Sequence, residues 1–179
     1  LSSLLSLLGE GVFAVENPFL WRTKTEVAAR LRELGHADLA SFSVSCSHVY
    51  GMTRLHTHCG CCSQCLDRRF GALAAGFGRD DPEEMYEVDL LTGARDREDD
   101  LVMAESFVRH ALELASLNER GFMGKFAGEV GRAASCVTGL SHEDVARRMI
   151  DLHRRHGEAV QSVLEDGYRR HAAELAAGV

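Results

Sequence analysis

Ser45 to Arg69 reads SCSHVYGMTRLHTHCGCCSQCLDRR and gathers five of the chain's six cysteines and three of its nine histidines. Cys59, Cys62 and Cys65 follow one another as C-x2-C-x2-C, with Cys46 twelve intervening residues upstream. Such a layout draws both ends of a loop onto one tetrahedral ion. Zinc is the first reading, because it takes thiolates in closed four-coordinate structural sites. Gly60 lets the backbone turn tightly between ligands. Arg54, Arg68 and Arg69 flank the knuckle, and their charge would offset the excess negative charge of four thiolates on one divalent cation. Cys61, His56 and His58 stand near enough to replace one of the four ligands.

Three other readings compete. Disulfides fit poorly, because four cysteines lie within the seven residues from Cys59 to Cys65 and pairing among them needs strained short loops. An iron–sulfur cluster shares C-x2-C-x2-C, but the ferredoxin pattern places its fourth cysteine where this chain has Arg69, and C-x3-C-x2-C is absent. Unrelated free thiols are the third.

Working outward, 179 residues with 45% hydrophobic content can bury the core of one medium domain or two small ones. The 20 basic residues against 27 acidic ones give a net charge of −7, which argues against nucleic acid as a partner of the whole chain and leaves room only for a local basic patch. Metal-like cysteine spacing without a secretory signal points to a reducing cytoplasm. Leu1 to Leu8 is apolar, yet too short to span a bilayer, so no membrane partner is expected. A start at Leu1 instead of Met suggests a piece of something longer.

The expected fold class is mainly α with little β. LSSLLSLLG reads as a helix closed by Gly9, and Val12 to Glu16 as a short buried strand stopped before Pro18. TKTEVAARLRELG predicts a helix with Thr23 as N-cap, Glu26 in the capping-box position, Gly35 as the stop, and Val27, Leu31 and Leu34 on one face. LDRRFGALAAGFG predicts a helix that turns Phe70, Leu73 and Ala74 inward and ends at its glycines. The acidic runs RDDPEE and ARDREDD read as solvated connections. From Leu101 onward the pattern is helical throughout, with an apolar stripe of Leu101, Ala104, Val108, Ala111, Leu112 and Ala115. It includes a helix capped by Ser141 with Asp144 in the capping-box region, and a last helix across Glu158 to Leu175. The division is residues 1–78 with the knuckle, an acidic connection over 79–100, and a helical region over 101–179.

Other motifs fail on their residues. Gly124-Lys125 lacks the following hydroxyl and the glycine five positions earlier that a phosphate loop needs. His142-Glu143 has Ala146 where a zinc-protease motif needs a second histidine. His153 and His156 read as a polar helix face among arginines, and Cys136 as a core residue.

The span from Val15 to about Gly76 resembles the C-terminal portion of the QueC-like family, the 7-cyano-7-deazaguanine synthases of the PP-loop ATPase group. Three stretches carry the resemblance in order: Asn17-Pro18-Phe19 running into Thr23-Lys24, the Ser45-Cys46 pair, and Cys59 to Cys65 followed by Arg68. It implies the C-terminal part of a Rossmann-like α/β domain, with Cys46, Cys59, Cys62 and Cys65 holding a structural Zn2+. For the complete enzyme it implies ATP-dependent conversion of 7-carboxy-7-deazaguanine to the nitrile with ammonia, in biosynthesis or in antiphage defence. Lys24 is then either a support for the nucleotide end of the pocket or a surface lysine at a helix start. The family's SGGxDS loop is not in this sequence, so ATP is expected only for a complete protein whose N-terminal portion would be the partner of this one. No catalytic residue is assigned. The helical region lies outside the resemblance, and a homodimer or a partner protein is its expected use. The competing reading is a zinc-stabilised interaction module with no enzymatic role.

Overall fold

Thr23 sets the first well-capped helix of the chain. In the computed structural model, which describes residues 2–9 and 12–177, its hydroxyl accepts the Glu26 N–H at 3.2 Å while the Glu26 carboxylate accepts the Thr23 N–H at 2.8 Å. This reciprocal box satisfies two N–H groups that a helix start leaves open. The helix it opens, α2 (Lys24–Glu33), follows α1 (Ser2–Leu8) and ends at Gly35, whose φ of 76° suits glycine. A single turn, α3 (Leu39–Phe42), leads to the cysteine-rich loop, and α4 (Ser63–Ala74) leaves it with Cys62 as N-cap. Three long helices complete the fold: α5 (Glu98–Ser116), α6 (Glu119–Cys136) and α7 (His142–Ala177).

The chain is thus mainly helical with almost no β structure. Among the described residues the only β pairing is an isolated parallel bridge between His58 and Tyr86. The strand expected at Val12 to Glu16 does not form. A strand exists only through a neighbour that takes its hydrogen bonds, and this stretch is irregular, with Val12 98% and Phe13 47% exposed.

Two seams of close packing assemble the helices. Gly71 brings α4 against α2, where an added Cβ would meet the Lys24 side chain and the Thr25 backbone. Gly157 brings α7 against α5, where a Cβ would run into the Ala111 carbonyl and Ala115. The separate last helix expected from Glu158 is continuous with the one capped by Ser141: Gly157 sits inside one helix of 36 residues, because no proline breaks the run and the missing side chain lets α5 approach. Ser141 caps it as expected, accepting the Asp144 N–H at 3.1 Å. Leu66 and Phe70 of α4 share a core with Leu90, Ala111 of α5, and Val160 and Val163 of α7. The helix leaving the cysteine loop is therefore packed directly on the helical region.

Three further expectations change. Leu101 and Leu112 stay exposed at 46% and 37%, and Phe107 and Leu114 take their place on the buried side of α5. Cys136 is exposed at the end of α6 and is not a core residue. His153 and His156 are not a polar face: they pack on Phe122 and Phe107 with ring centroids 5.7 and 5.8 Å apart.

Candidate metal centre

The two arms of the cysteine loop arrive by different means. Cys62 and Cys65 are fixed at the start of α4, and Gly60 makes the turn before them with a φ of 76°. Space as well as φ demands glycine there, since a Cβ would run into the Val88 carbonyl. Cys46 comes in on the other arm, just ahead of the short 3-10 turn Val49–Gly51. The outcome is a cluster in which the sulfurs of Cys46, Cys59, Cys62 and Cys65 all lie within 4.8 Å of one another, and each of the four residues is buried. The four residues named from spacing are the four brought together, and they could hold a metal ion.

Backbone N–H groups point at these sulfurs. Cys61 and Cys62 donate to Cys59 Sγ at 3.4 and 3.3 Å, and His48 donates to Cys46 Sγ at 3.3 Å. Such bonds favour thiolates and fix their direction. Burial pushes Cys59 up to about 11 and raises Cys65 as well. Cys62 goes the other way: against the burial that would raise it, hydrogen bonds from the Ser47 hydroxyl, the Ser47 N–H and Cys65 bring it down to about 6. A metal ion would favour the thiolate form of its ligands and release their protons on binding.

The three alternative ligands, Cys61, His56 and His58, lie outside the four-sulfur group. His58 is fully buried, with its ring stacked on Tyr86 at 4.9 Å. Its Nε2 accepts the Ser45 N–H at 3.4 Å, which leaves Nδ1 to donate to Thr57 Oγ1 at 2.9 Å. Burial, and then the Arg68 charge, hold its pKa below the ordinary value. Cys61 is buried too, but outside the four-sulfur group. It lines a cavity of about 350 Å³ beside the cluster, with Cys59, Met52, Glu87, Arg95 and Asp100.

Beneath the cluster lies a buried ionic network that the sequence reading missed. Asp81, placed by its sequence in a solvated acidic run, has no exposure at all. Arg68 Nε donates to its Oδ1 at 2.7 Å, Arg69 donates to Oδ2 at 3.1 Å and to the Asp81 carbonyl, and Tyr86 Oη donates to Oδ2 at 2.9 Å. The remaining Arg68 donors reach the Ser43 hydroxyl at 2.6 Å and the Ala40 carbonyl at 2.7 Å. Arg68 and Arg69 thus have a structural counter-ion, and Arg54 is exposed. The network carries one net positive charge and clamps α3, α4 and the loop through Tyr86 around the cysteines. Nothing in composition separates Asp81 from the other acidic residues of its run; the pairing depends on a turn at Phe77, whose carbonyl accepts the Asp81 N–H at 2.8 Å.

Beside this clamp, Lys24, Val27, Leu31, Ser43, Ser45 and Phe77 help to line a cavity of about 180 Å³ between α2, α3 and α4. Lys24 stands at its rim, 3.5 Å from Asp67. Gly124-Lys125, rejected as a phosphate loop by sequence, lies inside α6 with Lys125 paired to Glu113. No helix among the described residues is long and apolar enough to cross a membrane. Compared with protein-family models, curated proteins and solved structures, the chain matches none of them.

Proposed function

We propose that the four cysteines hold a structural zinc ion, and that this centre is the C-terminal part of a QueC-like PP-loop enzyme, with its Rossmann-like portion preceding the residues described. The observation that carries the zinc reading is the four buried sulfurs around one point. Zn–S bonds of about 2.3 Å at tetrahedral angles put sulfurs about 3.8 Å apart, and Cys59 Sγ and Cys65 Sγ are 3.8 Å apart. A cubane cluster would separate its thiolates by the width of the cube. Four thiolates leave no open position, so the zinc would be a staple with no catalytic part. What it staples is the loop from Ser43 to Ser63, which closes one side of the cavity lined by Lys24, Ser45 and Arg68.

The enzymatic reading rests on the three ordered stretches named above, and the fold supports it in two places. Thr23-Lys24 begins α2 at the rim of the same cavity that Ser45 and the knuckle helix line. The exposed apolar residues Val12, Phe13, Val15, Phe19 and Leu20 present a surface suited to a covering α/β layer. The complete protein would then activate 7-carboxy-7-deazaguanine with ATP and convert it with ammonia to the nitrile, or run a related deazaguanine reaction in antiphage defence. The same exposed residues also favour a second reading, a non-enzymatic zinc-stabilised module that docks a partner protein.

Elemental analysis of the purified chain should find about one zinc per chain. Iron in its place, or no metal in protein made without chelators, overturns the zinc reading. For the enzymatic reading the test is ATP binding by a form extended at the N-terminus. Its absence leaves the interaction module.

A further inference from the structure

We propose that α6 is an acid-sensitive flap, latched to α7 by the His153 ring stacked on Phe122 and released when that ring and its neighbour His156 take up protons. The helix is weak by itself. Gly121, Gly124, Gly128 and Gly131 stand in it, each about 1 kcal/mol worse than alanine in a helix interior, and Phe126 departs from helical geometry at φ −121° and ψ 18°. Such a segment is held by tertiary packing. That packing is mostly on α7, where Phe122 and Val130 meet Ile150, with Ala146 and Met149 beside them.

Histidines stand at both sides of this contact. His153 of α7 stacks on Phe122, with ring centroids 5.7 Å apart and planes at 28°. His110 of α5 meets Phe126 edge-on at 6.0 Å, and Phe122 and Phe126 touch at 5.0 Å. His156, one turn on from His153, sets its ring edge-on to Phe107 of α5 at 5.8 Å.

The charged groups around the seam make protonation costly. His153 is influenced by His156 and His110, and no carboxylate among the described residues offsets them; burial first, then these two histidines, hold its pKa below the ordinary value. His156 is lowered as well, by burial against the opposing pull of Asp67 from α4, with His110 adding to the lowering. Arg109 and Glu113 of α5 line the adjoining groove. Glu113 is paired with Lys125 of α6, and Asp67 is shared with Lys24 of α2. Because the folded values lie below the unfolded ones, the stabilisation is full above the ordinary histidine pKa of about 6.5 and is lost as pH falls from there toward the folded values. Protonation puts a charge into a half-buried contact that withholds its solvation, so α6, the element held by that contact, is the one released.

Hydrogen exchange followed by mass spectrometry on the full, metal-loaded chain tests this at about pH 7.5 and about pH 5.8, with rates corrected for intrinsic exchange and metal content measured in parallel. Peptides of α6 should exchange on the order of tenfold faster at the lower pH, with α4 unchanged and metal retained. His153→Phe keeps the ring and removes the proton site, so the acceleration should vanish. His153→Gln serves the same comparison if circular dichroism shows the first variant to be unfolded. Acceleration that persists in the His153→Phe, His156→Phe double variant overturns the proposal. So does protection of α6 that is equal at both pH values, or acceleration of α4 together with metal loss, which would place the acid response at the cysteines.

Discussion

Asp81 faces two guanidinium groups and one phenol and has no exposed surface. Removing one partner of a buried ionic group leaves the others uncompensated, which typically costs about 3–5 kcal/mol. Asp81→Asn should therefore lower the unfolding free energy of the metal-loaded chain by that order, read from its denaturant midpoint, whereas Tyr86→Phe, which removes one hydroxyl, should cost only about 1–3 kcal/mol. Equal midpoints for the two variants would mean that the carboxylate is not the centre of the clamp. Among the cysteines, Cys62→Ser should lose the metal, and Cys61→Ser and Cys136→Ser should keep it, as measured by metal content after gel filtration. The opposite result for Cys61 and Cys62 would shift the ligand register. The contrast between these two sites explains what was legible in sequence. Ligand spacing is local, so C-x2-C-x2-C with Cys46 upstream could be read directly; Asp81 acquires its partners only when the chain turns back onto α4, and its neighbours Asp80, Glu83 and Glu84 look the same on the page.

Helices were read where their signals lie within a few residues, as in the Thr23 and Glu26 box or the Ser141 cap. Gly157 was misjudged because a glycine's meaning is set by what stands opposite it. Gly157→Ala would gain about 1 kcal/mol in helix preference, but its Cβ would meet the Ala111 backbone carbonyl, which cannot swing away. Overpacking of this kind costs about 1–3 kcal/mol, so the net effect should be destabilising, with the α5 and α7 seam opened. Gly124→Ala is the control: it lies in the interior of α6 with nothing within 4 Å of the added carbon, and should raise the thermal midpoint. A stabilising Gly157→Ala would mean that the seam is looser than its geometry. The Val12 to Glu16 stretch failed as a strand for a related reason, since apolar composition supplies residues for a sheet but no second strand.

At the scale of the whole molecule, the cysteine loop and the helical region meet through α4, which carries Cys62 and Cys65 at its start and Leu66 and Phe70 in the core shared with α5 and α7. A metal staple at one end of α4 should therefore matter more for the loop than for the bundle. Chelation should unfold the loop from Ser43 to Ser63, where metal-binding free energy is folding free energy, while most helical circular dichroism persists. Complete loss of helicity would make the two inseparable. The proposed enzymatic role leads to a separate expectation. Cradling ATP phosphates takes a loop whose backbone N–H groups are free to converge on them. The glycine-lysine pair of this sequence cannot provide it, because Gly124 and Lys125 lie inside α6, where N–H groups belong to the helix ladder, and the Lys125 ammonium is paired with Glu113. A zinc closed by four thiolates offers no bound water as a substitute catalyst. The 179 residues should therefore show no ATP hydrolysis above background, with or without 7-carboxy-7-deazaguanine, and a form extended at the N-terminus should consume ATP only when that substrate is present. Turnover by the shorter chain would point to a nucleotide site within these helices, with the cavity beside Lys24 as the first place to look. An extended form that binds no ATP would turn the cysteine centre into the staple of an interaction module.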